Sequence, residues 1–112
     1  MSRHARGVGA AVAGALAFVT MAALADEPLE LTIKDHRFAP AELEVPANQK
    51  VRLRVRNRDP TAEEFESFEL NREKVVAGNA EIVLFIGPLA PGRYPYFGDF
   101  HRDTANGVIV AK

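Results

Sequence analysis

Two histidines, a pair of closely spaced glutamates and an aspartate hold most of the ligand chemistry open to this chain: His36, His101, Glu64, Glu66 and Asp99. There is no cysteine, and the two methionines, Met1 and Met21, both lie near the start. Past residue 25, a metal could therefore be held only through imidazole nitrogen, carboxylate, phenol or backbone oxygen. His101 sits between Asp99 and Asp103, in a segment that reads as a loop between two strands, where a rigid scaffold presents its ligands. It is either a ligand or a surface histidine. Asp99 is either a ligand or a hydrogen-bond acceptor that orients His101. His36 follows a strand directly, so it either ligates or hydrogen-bonds the turn before Phe38.

Glu64 and Glu66 share one face of an alternating segment, Glu64 to Leu70, and the apolar Phe68 and Leu70 on that face mark it as inward. An inward carboxylate pair is costly without a compensating cation. The competing expectation is a solvated pair matched by Arg58 or Arg72. Glu63 and Glu69 are expected to face solvent. Hard oxygen donors with one or two imidazoles suit Cu(II), Fe(III), Mn(II) or Zn(II), and the usual affinity order favours copper where geometry is neutral. Tyr94 and Tyr96 read as core and edge packing rather than phenolate ligands. Ser67 has no histidine near it in the pattern, and neither a cysteine nucleophile nor a phosphate-cradling glycine loop is present, so hydrolysis is disfavoured.

The elements that must position these groups are short strands. Leu29, Leu31 and Ile33 alternate with polar residues; Leu43 and Val45 open a second extended piece; Val51 to Asn57 alternates most regularly; Ile82 to Ile86 is apolar throughout and suits a strand buried on both sides; Tyr94 to Phe97 and Val108 to Val110 close the chain. Proline, glycine and asparagine separate them, and no stretch keeps a helical period for three turns. About seven strands in a small all-β Greek-key sandwich or barrel follow. The arginines at 52, 54, 56 and 58 alternate with Val51, Leu53 and Val55, which reads as the solvated face of a strand.

Residues 1–25 have the pattern of a cleaved secretory leader: Arg3 and Arg6, an apolar stretch from Val8 to Leu24, and an Ala23-Leu24-Ala25 cleavage signal. One domain, residues 26–112, is expected after cleavage, with periplasmic location and no membrane insertion. It carries fifteen acidic and twelve basic residues, a balance that argues against a nucleic-acid partner.

Phe38-Ala39-Pro40, Val45-Pro46-Ala47, the Val51 to Asn57 strand and the stretch from Gly92-Arg93-Tyr94 to Gly107-Val108-Ile109-Val110 together resemble the cupredoxins. Glu64-Phe65-Glu66 and Phe97-Gly98-Asp99-Phe100-His101 further resemble the cupredoxin-like proteins that accompany bacterial periplasmic ferrous-iron uptake systems. That resemblance implies copper as cofactor, iron as substrate or second metal, an iron permease or other periplasmic uptake component as partner, and copper-dependent oxidation of Fe(II) to Fe(III). A copper or iron carrier without turnover is the alternative, and a metal-free sandwich the third. The departures are specific. Gly98 stands at the cysteine position of a blue-copper site, His101 matches the histidine three residues on, Ala105 and Asn106 occupy the methionine region, and Glu64 or its neighbour replaces the early histidine. Without thiolate there is no blue site.

Overall fold

The computed structural model describes residues 28–112, and the leader pattern lies outside them. Nine strands form two packed sheets. No helix among the described residues is long and apolar enough to cross a membrane. The strands are β1 (Leu29–Lys34), β2 (Arg37–Ala39), β3 (Glu42–Val45), β4 (Val51–Asn57), β5 (Glu63–Ser67), β6 (Arg72–Val76), β7 (Glu81–Ile86), β8 (Gly92–Gly98) and β9 (Asn106–Ala111). One sheet runs β2-β1-β4-β7 and the other β3-β9-β8-β5-β6, with β1 parallel to β4 and β3 parallel to β9. The all-β sandwich is as expected, with two strands more: β2 and β6.

Alternation drives the core. Leu31 and Ile33 on β1, Val51, Leu53 and Val55 on β4, and Leu84 and Ile86 on β7 turn inward, and β4 exposes or half-exposes its arginines. Phe38, Phe65 and Tyr96 pack as an aromatic trio that bridges the sheets, with centroids 4.9 to 6.1 Å apart. Burying each such ring contributes roughly 1.5–3 kcal/mol. One strand departs from expectation. β7 is not buried on both sides: Val83 and Phe85 face outward, because in a two-sheet sandwich only the inner face of each strand is covered.

Polar residues at the end of β4 set the path into β5. Asn57 is buried, and its Nδ2 donates to the carbonyls of Thr61, Val76 and Ala77 at 2.9, 3.2 and 3.2 Å. Its Oδ1 accepts from Asp59 N at 3.0 Å. The buried Asp59 carboxylate in turn accepts from the backbone N–H of Asp35 (2.8 Å) and His36 (2.9 Å). Those two residues form the two-residue β1–β2 turn, and both have positive φ, 53° and 58°. A primed turn requires that geometry, which aspartate and histidine adopt more readily than most side chains but still at some cost. Asp59 offsets the cost by satisfying both turn amides. Burial pushes the Asp59 carboxyl up, but these two amides and nearby His36 and Lys34 prevail and hold it below the ordinary carboxylate range.

Candidate metal centre

The strand that carries the glutamates faces the other way from the sequence expectation. On β5 the inward residues are Glu63, Phe65 and Ser67, whereas Glu64 and Glu66 lie half-buried on the outer face. Phe68 and Leu70 belong to the turn that follows, not to the strand, and Phe68 is 70% exposed. Their apolar character therefore says nothing about strand parity, and a one-residue change of parity exchanges the faces. Glu63, expected in solvent, is 1% exposed.

On the inner side, Glu63 organises the loop between β8 and β9. Its Oε1 accepts from the backbone N–H of Glu64 (3.0 Å) and of Phe100 (2.9 Å). Its Oε2 lies 2.5 Å from Nδ1 of His101. The loop is also closed by its own backbone: Gly98 N donates to Ala105 O, Ala105 N to His101 O and His101 N to Gly98 O. The His36 ring stacks on His101 with centroids 3.5 Å and planes 14° apart. Asp59 holds the backbone of His36 in that place. The two histidines expected as ligands are therefore neighbours with their rings stacked, and Nδ1 of His101 is engaged by Glu63.

On the outer side, Glu64, Glu66 and Asp99 each place a carboxylate oxygen within 4.8 Å of the others. The cluster is assembled by main chain: Asp99 N donates to Glu64 O at 2.9 Å, directly across from β5. Glu73 faces Glu66 from β6. Burial first, then the charge of Glu73, a hydrogen bond with Asp99 and the charges of Asp99 and Glu66, raise the Glu64 carboxyl above its ordinary value. Burial, Glu73 and Asp99 likewise raise Glu66, against a smaller lowering by Arg102. Arg102 is the local counter-charge, with Nε 2.6 Å and a terminal nitrogen 2.5 Å from Asp99 Oδ1, its guanidinium resting over the Phe97 ring. Even so, Oε2 of Glu66 is buried and has no hydrogen-bond partner.

The five expected residues thus separate into His36 with His101 inside, around Glu63, and Glu64, Glu66 and Asp99 outside. Arg58 and Arg72 do not neutralise the glutamates; Arg72 donates instead to the carbonyls of Phe85, Leu70 and Asn71. Tyr96 is buried with its hydroxyl pKa pushed well up by desolvation, which leaves it a protonated core residue. Sequence reasoning missed Glu63 and Asp59. Phe65, the one bulky apolar residue inside the strand, was the available mark of the correct parity for Glu63.

A family profile described as the cupredoxin-like domain matches residues 8–111. An uncharacterised protein of Rickettsia prowazekii is 51% identical over 82 residues, 73% of this chain and 66% of the relative's length. Among solved structures, auracyanin A of Chloroflexus aurantiacus, a blue copper protein, aligns with TM-score 0.64 and 16% identity over 77% of this chain and 98% of its own. Amicyanin of Paracoccus versutus gives 0.61 and 14% over 78% and 83%, and a purple cupredoxin of Nitrosopumilus maritimus 0.59 and 16% over 75% and 99%. At such identities these structures establish the shared fold alone.

Proposed function

The chain belongs to the cupredoxin-like domain family, and from that premise we propose that it is a metal-handling domain whose cation is held by Glu64, Glu66 and Asp99 rather than by a thiolate copper centre. The observation that carries the proposal is the unpaired, buried Oε2 of Glu66 inside a cluster of three carboxylates. A buried anionic oxygen with no donor is expensive, and a cation is the partner that would satisfy all three groups together. An all-oxygen, triply anionic set suits hard cations and favours the higher charge of an iron couple. Iron is therefore the cargo we assign, carried outside the cytoplasm as the leader pattern suggests and passed to a membrane permease.

Copper fits less well. Cysteine is absent, Gly98 stands where the resemblance would put it, and His101 Nδ1 is engaged by Glu63. Copper-dependent turnover thus loses its natural electron acceptor, and a carrier is the reading the geometry favours.

The test is anaerobic titration of the protein with Fe(II), and separately with Mn(II) and Cu(II), followed by stopped-flow mixing with oxygen. One equivalent bound in the wild type, with affinity reduced at least about tenfold in Glu64→Gln/Glu66→Gln, supports the carboxylate centre. Faster Fe(II) oxidation only after copper loading would restore the ferroxidase reading. No binding of any of the three metals would remove both.

A further inference from the structure

The Glu63–His101 pair lies where the family resemblance places copper, and its geometry is that of a finished contact rather than a vacant ligand set. We infer that this chain has closed the interior metal position of its fold with a built-in contact, in which the buried Glu63 carboxylate occupies the imidazole nitrogen of His101 that a metal would otherwise take. Three observations carry the inference.

Gly98 has no side chain, and a Cβ added there would lie 2.6 Å from the Glu63 carboxyl carbon and 2.7 Å from the Ala105 methyl. The volume of a thiolate is therefore already occupied by the Glu63 carboxylate. That carboxylate is buried and has both oxygens in use, Oε1 by two backbone amides and Oε2 by His101. Finally, Oε2 and Nδ1 are in direct hydrogen-bonding contact, with no room for an ion between them. Two donors bound to one metal, each about 2.0–2.2 Å from it, stand farther apart.

A metal at Nδ1 of His101 would have to displace Oε2 of Glu63 from the imidazole, with no thiolate in the chain to take its place. The Glu63–His101 contact instead ties β5 to the β8–β9 loop, the connection a metal would otherwise make. This inference is independent of the outer carboxylates and stands whether or not they take up a cation.

Electron paramagnetic resonance of Cu(II) added to the full chain tests it. In the wild type, bound copper is expected to show no nitrogen coupling that disappears in His101→Asn. Glu63→Ala frees Nδ1 and is expected to create such coupling, with copper affinity raised about tenfold. Should Glu63→Ala fail to fold, Glu63→Gln serves, and hydrogen exchange of the Phe100 amide in the wild type gives a second readout. Protection of that amide by Glu63 is expected to persist when copper is added. A His101-dependent nitrogen signal in the wild type, loss of Phe100 protection on copper binding, or a folded Glu63 variant that gains no nitrogen signal would each overturn the inference.

Discussion

Glu63 and Glu64 are consecutive and chemically identical, yet the pleat of β5 sends one into a fully satisfied interior pocket and the other into a crowded outer cluster. Removing Glu63 strips a donor set of its acceptor and leaves His101, itself a quarter exposed, without its partner. Leaving buried donors without their acceptor costs about 1–3 kcal/mol, so Glu63→Ala is expected to lose at least that much in equilibrium denaturant unfolding, whereas the exposed Arg93–Glu42 pair is expected to contribute less than about 1 kcal/mol. The outer glutamates behave oppositely. Their carboxyls are raised, so the folded protein binds protons more readily than the unfolded chain. In the metal-free protein their repulsion is fully present above the raised range and is relieved as pH falls through it. Asp59 is lowered, and its contribution is present above the ordinary carboxylate range and lost only as pH falls below that range. Mild acidification is therefore expected to stabilise the metal-free protein before stronger acid unfolds it, and over the same mild range to weaken Mn(II) binding by proton competition. A pH series of thermal melts with and without Mn(II) measures both. Arg102→Ala, which removes the counter-charge on Asp99, is expected to tighten Mn(II) binding several-fold at neutral pH.

At the level of elements, the legible strands were those whose apolar residues keep one parity from end to end. β1 and β4 were of this kind, and β4 gave the arginine face correctly. β5 was not, because its pattern runs Glu-Glu-Phe-Glu-Ser with a single apolar residue, and Phe68 and Leu70 beyond its end carry the opposite parity. The strand stops at Ser67, whose hydroxyl donates to Pro95 O and accepts from Leu70 N, so the chain has already left the sheet where the apolar signal resumes. β2 and β6 were illegible for a different reason. β2 is three residues long and exists because Asp59, far away in sequence, holds its turn, and β6 exposes three of its five residues at a sheet edge. The β8–β9 hairpin was placed correctly, and its packing gives a physical reason for Gly107, which the resemblance marked without one. A Cβ on Gly107 would meet the Tyr96 ring at 2.4 Å, and that ring is fixed between Phe38 and Phe65. Gly107→Ala is expected to destabilise by about 1–3 kcal/mol through overpacking, read as a lower denaturant midpoint at unchanged slope.

Across the whole molecule, the two sheets present unlike faces. The outer face of β4 carries Arg52, Arg54 and Arg56, with Arg54 and Arg56 tied to Glu30 and Glu81. The outer face of the other sheet carries Glu42 and Glu44, paired with Arg93 and Lys112, and the more crowded Glu64, Glu66 and Glu73. A cation entering the Glu64–Glu66–Asp99 cluster would therefore act on the acidic sheet alone, and it would join β5 to the β8–β9 loop from outside where Glu63 joins them from inside. Ligand that binds only the folded state stabilises it by mass action, by about 2.7 kcal/mol at a free concentration one hundred times Kd. For a domain of this size each kcal/mol moves the melting temperature by roughly 4–8 °C, which sets an expected rise of roughly 10–20 °C with saturating Mn(II). Glu64→Gln/Glu66→Gln separates this from general ionic screening, because removing the repelling charges is expected to raise the melting temperature of the metal-free protein while abolishing the rise on adding Mn(II). Equal concentrations of Na+ at matched ionic strength complete the comparison. A rise that Na+ reproduces, or that survives in the double variant, would assign the effect to the acidic face as a whole and not to the three-carboxylate centre.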